Sequence, residues 1–111
     1  MSLYKFKSRA CADLIMLEPN GRQLLTILGK EDAASLRQGI LLPEHMPAAA
    51  RALRAAIAHE EAQRAQQIEE AQAAGQPAPR FDGVSLRQRC TPFLDMLARA
   101  QAEEKEIVWG V

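Results

Sequence analysis

The sequence is poor in nearly everything that announces a chemistry. Its 111 residues hold two cysteines, Cys11 and Cys90, and two histidines, His45 and His59. The cysteines stand at no metal-ligand spacing, and two thiols so placed read as free in a reducing cytoplasm rather than as a disulfide framework. Cys90 falls on an apolar helical position and reads as a small core residue. His45 lies in a loop and His59 on a polar helical face, each without a second ligand nearby, so both read as surface residues. A Cys–His nucleophile would require one of these pairs to meet in space, which no spacing in the chain demands. There is no Gly-x-Ser-x-Gly, no Walker loop and no dinucleotide fingerprint. No catalytic residue, metal or cofactor is assigned.

Excess charge is absent too. Lys plus Arg number 14 and Asp plus Glu number 14, for a formal net charge of zero. Nucleic-acid binders draw affinity from phosphate neutralisation and carry basic excess, so that class is disfavoured. No run of about 18 apolar residues exists to span a membrane. The opening MSLYKFKSR alternates and is charged, unlike a signal peptide. The expected setting is cytoplasmic, with no membrane partner.

What is present suits one modest core. Hydrophobic residues make up 48%, but twenty of them are alanine and only five are aromatic. The length fits a single domain over residues 1–111. Residues 3–8, LYKFKS, alternate and read as a half-buried strand. RACAD reads as a turn, and LIML (14–17) as a second strand of a hairpin, buried on both faces. Residues 20–29 are either the return strand of an Asn20-Gly21 turn or a helix capped at Asn20 and closed at Gly29. The grouping of Leu24, Leu25, Ile27 and Leu28 favours the helix. Its start could offer backbone N–H groups to an anion, although one glycine makes a poor phosphate loop. EDAASLRQG (31–39) is a polar connector, and Ile40 to Leu42 pack under the sheet or extend briefly along it.

Two long helices follow. One starts near Met46, with Pro47 in its first turn and a stripe through Met46, Ala50, Leu53 and Ile57. The stripe ends there, so about 59–83 reads as a polar helical extension fraying into a flexible linker at GQPAP. The other starts at a Ser85/Gln88 capping box and carries Leu86, Cys90, Phe93, Leu97 and Ala100 on one face. Pro92 should kink it. IVWGV reads as a terminal strand paired to the hairpin. The expected fold is α+β: a three-stranded sheet and three helices, two of them long and antiparallel.

The candidate contact residues are Arg87, Arg89 and Trp109. Arg80, Arg87 and Arg89 crowd the start of the last helix, where the dipole favours anions. An acid of the chain itself, such as Asp82 or Glu18, would resolve that conflict, and so would an anionic ligand. Trp109 reads as a core anchor, or else as an aromatic on an exposed sheet edge open to self-association. The adjacent acids Glu60-Glu61, Glu69-Glu70 and Glu103-Glu104 diverge by roughly 100° on a helix and read as solvated surface.

The segments FKSRACADLIML, LLTILG, GILLPEHMPAAARAL, VSLRQRCTPFLDML and EIVWGV, taken together, resemble a family of small bacterial proteins catalogued only as a domain of unknown function. The resemblance spans nearly all of the chain except residues 59–79. It implies the helix over residues 20–29 and a bacterial, cytoplasmic setting, and it implies no activity. Members tend to carry a His-Ser-Gly-like stretch after that helix, where this chain has Lys30-Glu31-Asp32. The expected function is a non-enzymatic interaction module that self-associates as a homo-oligomer or binds a protein partner. The alternative is a small-ligand or anion-binding protein, or an enzyme, built on Arg87, Arg89 and the helix start at Asn20.

Overall fold

The computed structural model describes residues 2–81 and 83–110. The alternating N-terminus forms β1 (Leu3–Ser8), which turns back at Arg9-Ala10 into β2 (Cys11–Leu17). Then come α1 (Glu18–Ile27), α2 (Ala33–Arg37) and β3 (Gly39–Leu41). A single 3-10 turn at Pro43–His45 leads into α3 (Met46–Ala73). The chain closes with α4 (Leu86–Ala102) and β4 (Ile107–Trp109). The class is α+β, with a four-stranded antiparallel sheet in the order β2-β1-β4-β3.

The sheet has one strand more than expected. β3 is three residues long and starts at Gly39, so neither length nor composition marks it. What makes it a strand is its pairing with β4, Gly39 to Trp109 and Leu41 to Ile107. Gly39 leaves room for the Trp109 indole, because a methyl there would stand 2.8 Å from Trp109 Cε2. The polar connector likewise contains α2, a short helix whose N-cap Asp32 accepts from Ser35 N–H at 3.0 Å.

Residues 20–27 are helical and Gly29 closes the helix, but it starts earlier than Asn20. Glu18 opens α1 and Pro19 occupies its first turn, where proline has no bond to lose. Asn20 is therefore inside the helix and is not its cap. The other end is as expected. Gly29 has φ +82, Lys30 N–H bonds to Leu25 O and Gly29 N–H to Thr26 O, a Schellman closure.

Alternation sorts the sheet faces. Tyr4, Phe6, Leu41, Ile107 and Trp109 point inward and are buried. Phe6 is the hub: its ring meets Phe93 edge-on at 5.1 Å, Trp109 at 6.0 Å and Tyr4 at 5.9 Å. The helices supply Leu25, Met46, Leu53, Phe93 and Leu97 to the same core. The opposite face of the sheet carries Leu3, Lys5, Ile15 and Ile40, all exposed. β2 is therefore not buried on both faces. Its Leu14 and Met16 pack on the core while Ile15 and Leu17 face outward.

α3 and α4 run antiparallel. Pro47 and Ala50 at the start of α3 border Leu97 and Gln101 near the end of α4, while Glu61 meets Arg87 at the other end. α3 is about 42 Å long and α4 about 25 Å at 1.5 Å per residue, so α3 overshoots its partner. The overshoot begins past Glu61, which meets Arg87 in the first turn of α4, about one turn beyond the end of the apolar stripe at Ile57. It remains helical to Ala73, and residues 76–79 return along Gln67, Glu70 and Ala71. Helix α4 begins at the expected capping box and runs through Pro92. Proline at 92 leaves the Gln88 carbonyl without its helical donor, and one residue earlier Thr91 Oγ1 donates to Arg87 O at 2.7 Å.

Candidate functional site

Two places can be built upward from the sequence: the arginines at the start of α4, and the outer edge of β2 beside them. Because α3 and α4 are antiparallel, the turn holding Glu60 and Glu61 lies against the first turn of α4. Glu60 Oε1 accepts from Leu86 N–H at 3.0 Å and sits 3.4 Å from Arg64 Nη2. It places a carboxylate at the positive end of the α4 dipole and satisfies one of the donors the helix leaves free there. Glu61 takes Arg87 in a two-pronged ion pair, at 2.7 Å to Nε and 2.9 Å to Nη2. Hydrogen bonding to Arg87 holds the Glu61 carboxyl below its ordinary range, and raises Arg87 in return.

Arg89 turns the other way. Its Nη1 donates to the side-chain oxygens of Gln23 and of Asn20, the latter at 3.4 Å, and its Nε is buried without a hydrogen-bond partner among the described residues. The two arginines thus serve separate internal contacts and do not converge on one pocket. The dipole conflict posed by the sequence is resolved inside the chain, by Glu60 and Glu61. Glu18, one of the acids expected there, instead pairs with Arg22 at 2.9 Å. Asp82, the other, lies outside the described residues. Arg80 is exposed, and Arg64 stacks its guanidinium 4.7 Å over the Phe81 ring.

Trp109 is fully buried, and its Nε1 donates to Ser35 O at 2.7 Å. β4 pairs with β1 on one side and β3 on the other, so it has no free edge. The tryptophan is the anchor of the core, and self-association through an exposed β4 edge is corrected by that central position.

The free long edge belongs to β2. Leu3 (59% exposed), Ile15 (54%), Leu17 (46%) and Val84 (57%) cluster along it. With Pro92, Gln88 and Arg89 of α4 they line an open groove of about 410 Å³. Together the four present on the order of 400 Å² of largely apolar surface, the size of the largest patch on an ordinary monomer. The larger cleft, about 790 Å³ between β1, α1 and α2, carries Lys5, Arg22 and Arg37 but also Glu18 and Glu31. Its charges are mixed, and Arg22 is already paired.

Along its length the chain matches one family model, described as Domain of unknown function (DUF1840), over residues 2–109. The chain belongs to that family. No curated protein and no solved structure matches it. The DUF1840 chain shows no group of three or more His, Cys, Asp or Glu able to hold a metal among its described residues, and none of its helices described here is long and apolar enough to cross a membrane. His45 and His59 are exposed. Cys11 and Cys90 are free thiols, and burial pushes the Cys90 thiol up.

Sequence reasoning missed two features of this site. Glu60 and Glu61 read as a solvated pair, yet both bind across to α4. Aligning the two helices antiparallel would have placed residue 60 near residue 86. The β2 edge was hidden by its own composition: LIML is apolar at every position, which suggests burial on both faces rather than one exposed apolar face.

Proposed function

We propose that this DUF1840 chain is a non-enzymatic interaction module that self-associates, working in the cytoplasm. The observation that supports it is the β2 edge. Its regular stretch, Leu14–Leu17, lies at the outside of the sheet beyond the bulge and Asp13, and is lined by Leu3, Ile15, Leu17 and Val84 rather than by the lysines or prolines that usually blunt an edge. Proteins use such edges to add a strand from another chain, with main-chain bonds for affinity and side-chain contacts for selectivity. The competing reading, a small anion or ligand held by Arg87 and Arg89, drew on their convergence. Arg87 is held by Glu61 and Arg89 by Gln23 and Asn20. The two free thiols suit a reducing compartment.

Native mass spectrometry of gently purified protein tests the reading. The expected result is the mass of two chains with nothing added. A monomer carrying a reproducible small-molecule adduct would contradict it and return attention to the polar cleft and the arginines.

A further inference from the structure

We infer that the occupant of the β2 edge is the β2 edge of a second copy, antiparallel and two-fold symmetric about Met16, so that the two sheets join into one of eight strands. This rests on the self-association proposed above and adds its surface, symmetry and register.

The hydrogen-bonding phase of β2 carries the argument. Glu18 N–H bonds to Ser2 O at 3.1 Å, and the register continues as Leu3–Leu17, Tyr4–Met16, Lys5–Ile15 and Phe6–Leu14. In an antiparallel ladder bonded and non-bonded pairs alternate. Ser2–Glu18, Tyr4–Met16 and Phe6–Leu14 are therefore the bonded pairs. Ile15 and Leu17 then point their own N–H and C=O groups away from β1, out of the sheet edge. Nearer the turn, the ladder shifts between Phe6 and Ser8, so one extra residue of β2 interrupts the regular edge before Leu14. The regular free donors and acceptors are those of Ile15 and Leu17.

One symmetric pairing uses both. With Met16 on the axis, Ile15 faces the partner's Leu17 and Leu17 the partner's Ile15, each as a bonded pair, and the bulged residues stay out. The exposed side chains of Ile15 and Leu17 then cover each other across the seam, with Leu3 beside them on the same face. A second copy suits this surface for two further reasons. The stretch Leu14–Leu17 is uncharged and the net charge of the chain is zero, so copies do not repel. Two patches on the order of 400 Å² total about 800 Å², below the usual ~1,200–2,000 Å² of a stable interface, which suits a weak, reversible dimer.

Cysteine cross-linking in a Cys11→Ser background reads the register. Bonded partners stand about 5.5 Å apart at Cα, within disulfide reach, whereas Ile15 to Ile15 across the axis is a diagonal at roughly 7–8 Å, outside it. Mixing Ile15→Cys with Leu17→Cys under mild oxidation should give the covalent dimer as the main product, with little from either variant alone. Both positions are exposed, so the fold is not at stake. A reduced dimer by mass that cross-links through Ile15→Cys alone, or through Ile40→Cys at the other edge, would overturn the register while leaving self-association standing. A chain that stays monomeric would overturn both, and would leave the edge to a strand of another protein.

Discussion

Gly21→Ala sets two known effects against each other. Gly21 is buried inside α1, where alanine is worth about 1 kcal/mol over glycine by helix propensity. The site has no room for it. A methyl at Gly21 would fall on the Tyr4 ring, 2.6 Å from Cγ and 2.9 Å from Cβ, against normal carbon contacts of about 3.5–4.0 Å. Tyr4 cannot simply swing aside. Its ring stacks on Phe6, and its hydroxyl donates to Leu36 O at 2.6 Å, which pins α2. Overpacking of this kind costs about 1–3 kcal/mol, and loss of the hydroxyl bond about 1 kcal/mol more. Against the propensity gain, the net is a destabilisation of about 1–3 kcal/mol. At this chain length that lowers Tm by about 4 °C per kcal/mol. Urea unfolding followed by circular dichroism should show a lower midpoint at unchanged slope. A variant as stable as the parent, or more so, would refute the packing of α1 on β1.

Ser85→Ala removes the capping box of α4, in which Ser85 Oγ accepts from Gln88 N–H at 3.2 Å, and should cost about 1 kcal/mol by the same urea assay. Glu104 closes α4 at φ 54, a conformation glycine adopts freely, so Glu104→Gly should stabilise the fold by about 0.5–1 kcal/mol, read as a higher urea midpoint at unchanged slope. Glu61, ordinarily near 4.5, is lowered by its hydrogen bonds from Arg87, and Glu18 is lowered by Arg22. Their stabilisation is therefore complete above pH 4.5 and lost as pH falls through the lowered folded values. Thermal melts across that acid range should show Glu61→Gln less stable than the parent above pH 4.5, with the gap closing below it.

The parts of the fold that were legible are those set locally. Alternation marks β1, the Ser85/Gln88 pair marks the start of α4, Pro47 marks the start of α3, and Gly29 marks the end of α1. What was not legible depends on partners distant in the chain. β3 is a strand only because β4 lies beside it, and its Gly39 is explained only by the Trp109 indole above it. Pro19 and Glu18 displaced Asn20 as the start of α1, since the chain leaves β2 directly into a helix with no intervening loop. The candidate site divides in the same way. Arg87 and Arg89 were visible as a cation cluster at a helix start, but their partners are distant in the chain: Glu61 lies 26 residues before Arg87, and Gln23 and Asn20 lie 66 and 69 residues before Arg89. The β2 edge became visible only when strand order placed β2 outermost and β4 inside.

Sedimentation velocity over a concentration series, comparing the parent chain with Leu17→Lys, tests the central claim most directly. Leu17 is exposed, so the lysine leaves the monomer fold intact while placing a charge at the seam. The account predicts a parent that shifts from monomer to dimer with rising concentration and a variant that stays monomeric throughout. A parent that remains monomeric, or a variant that dimerises equally well, would contradict it.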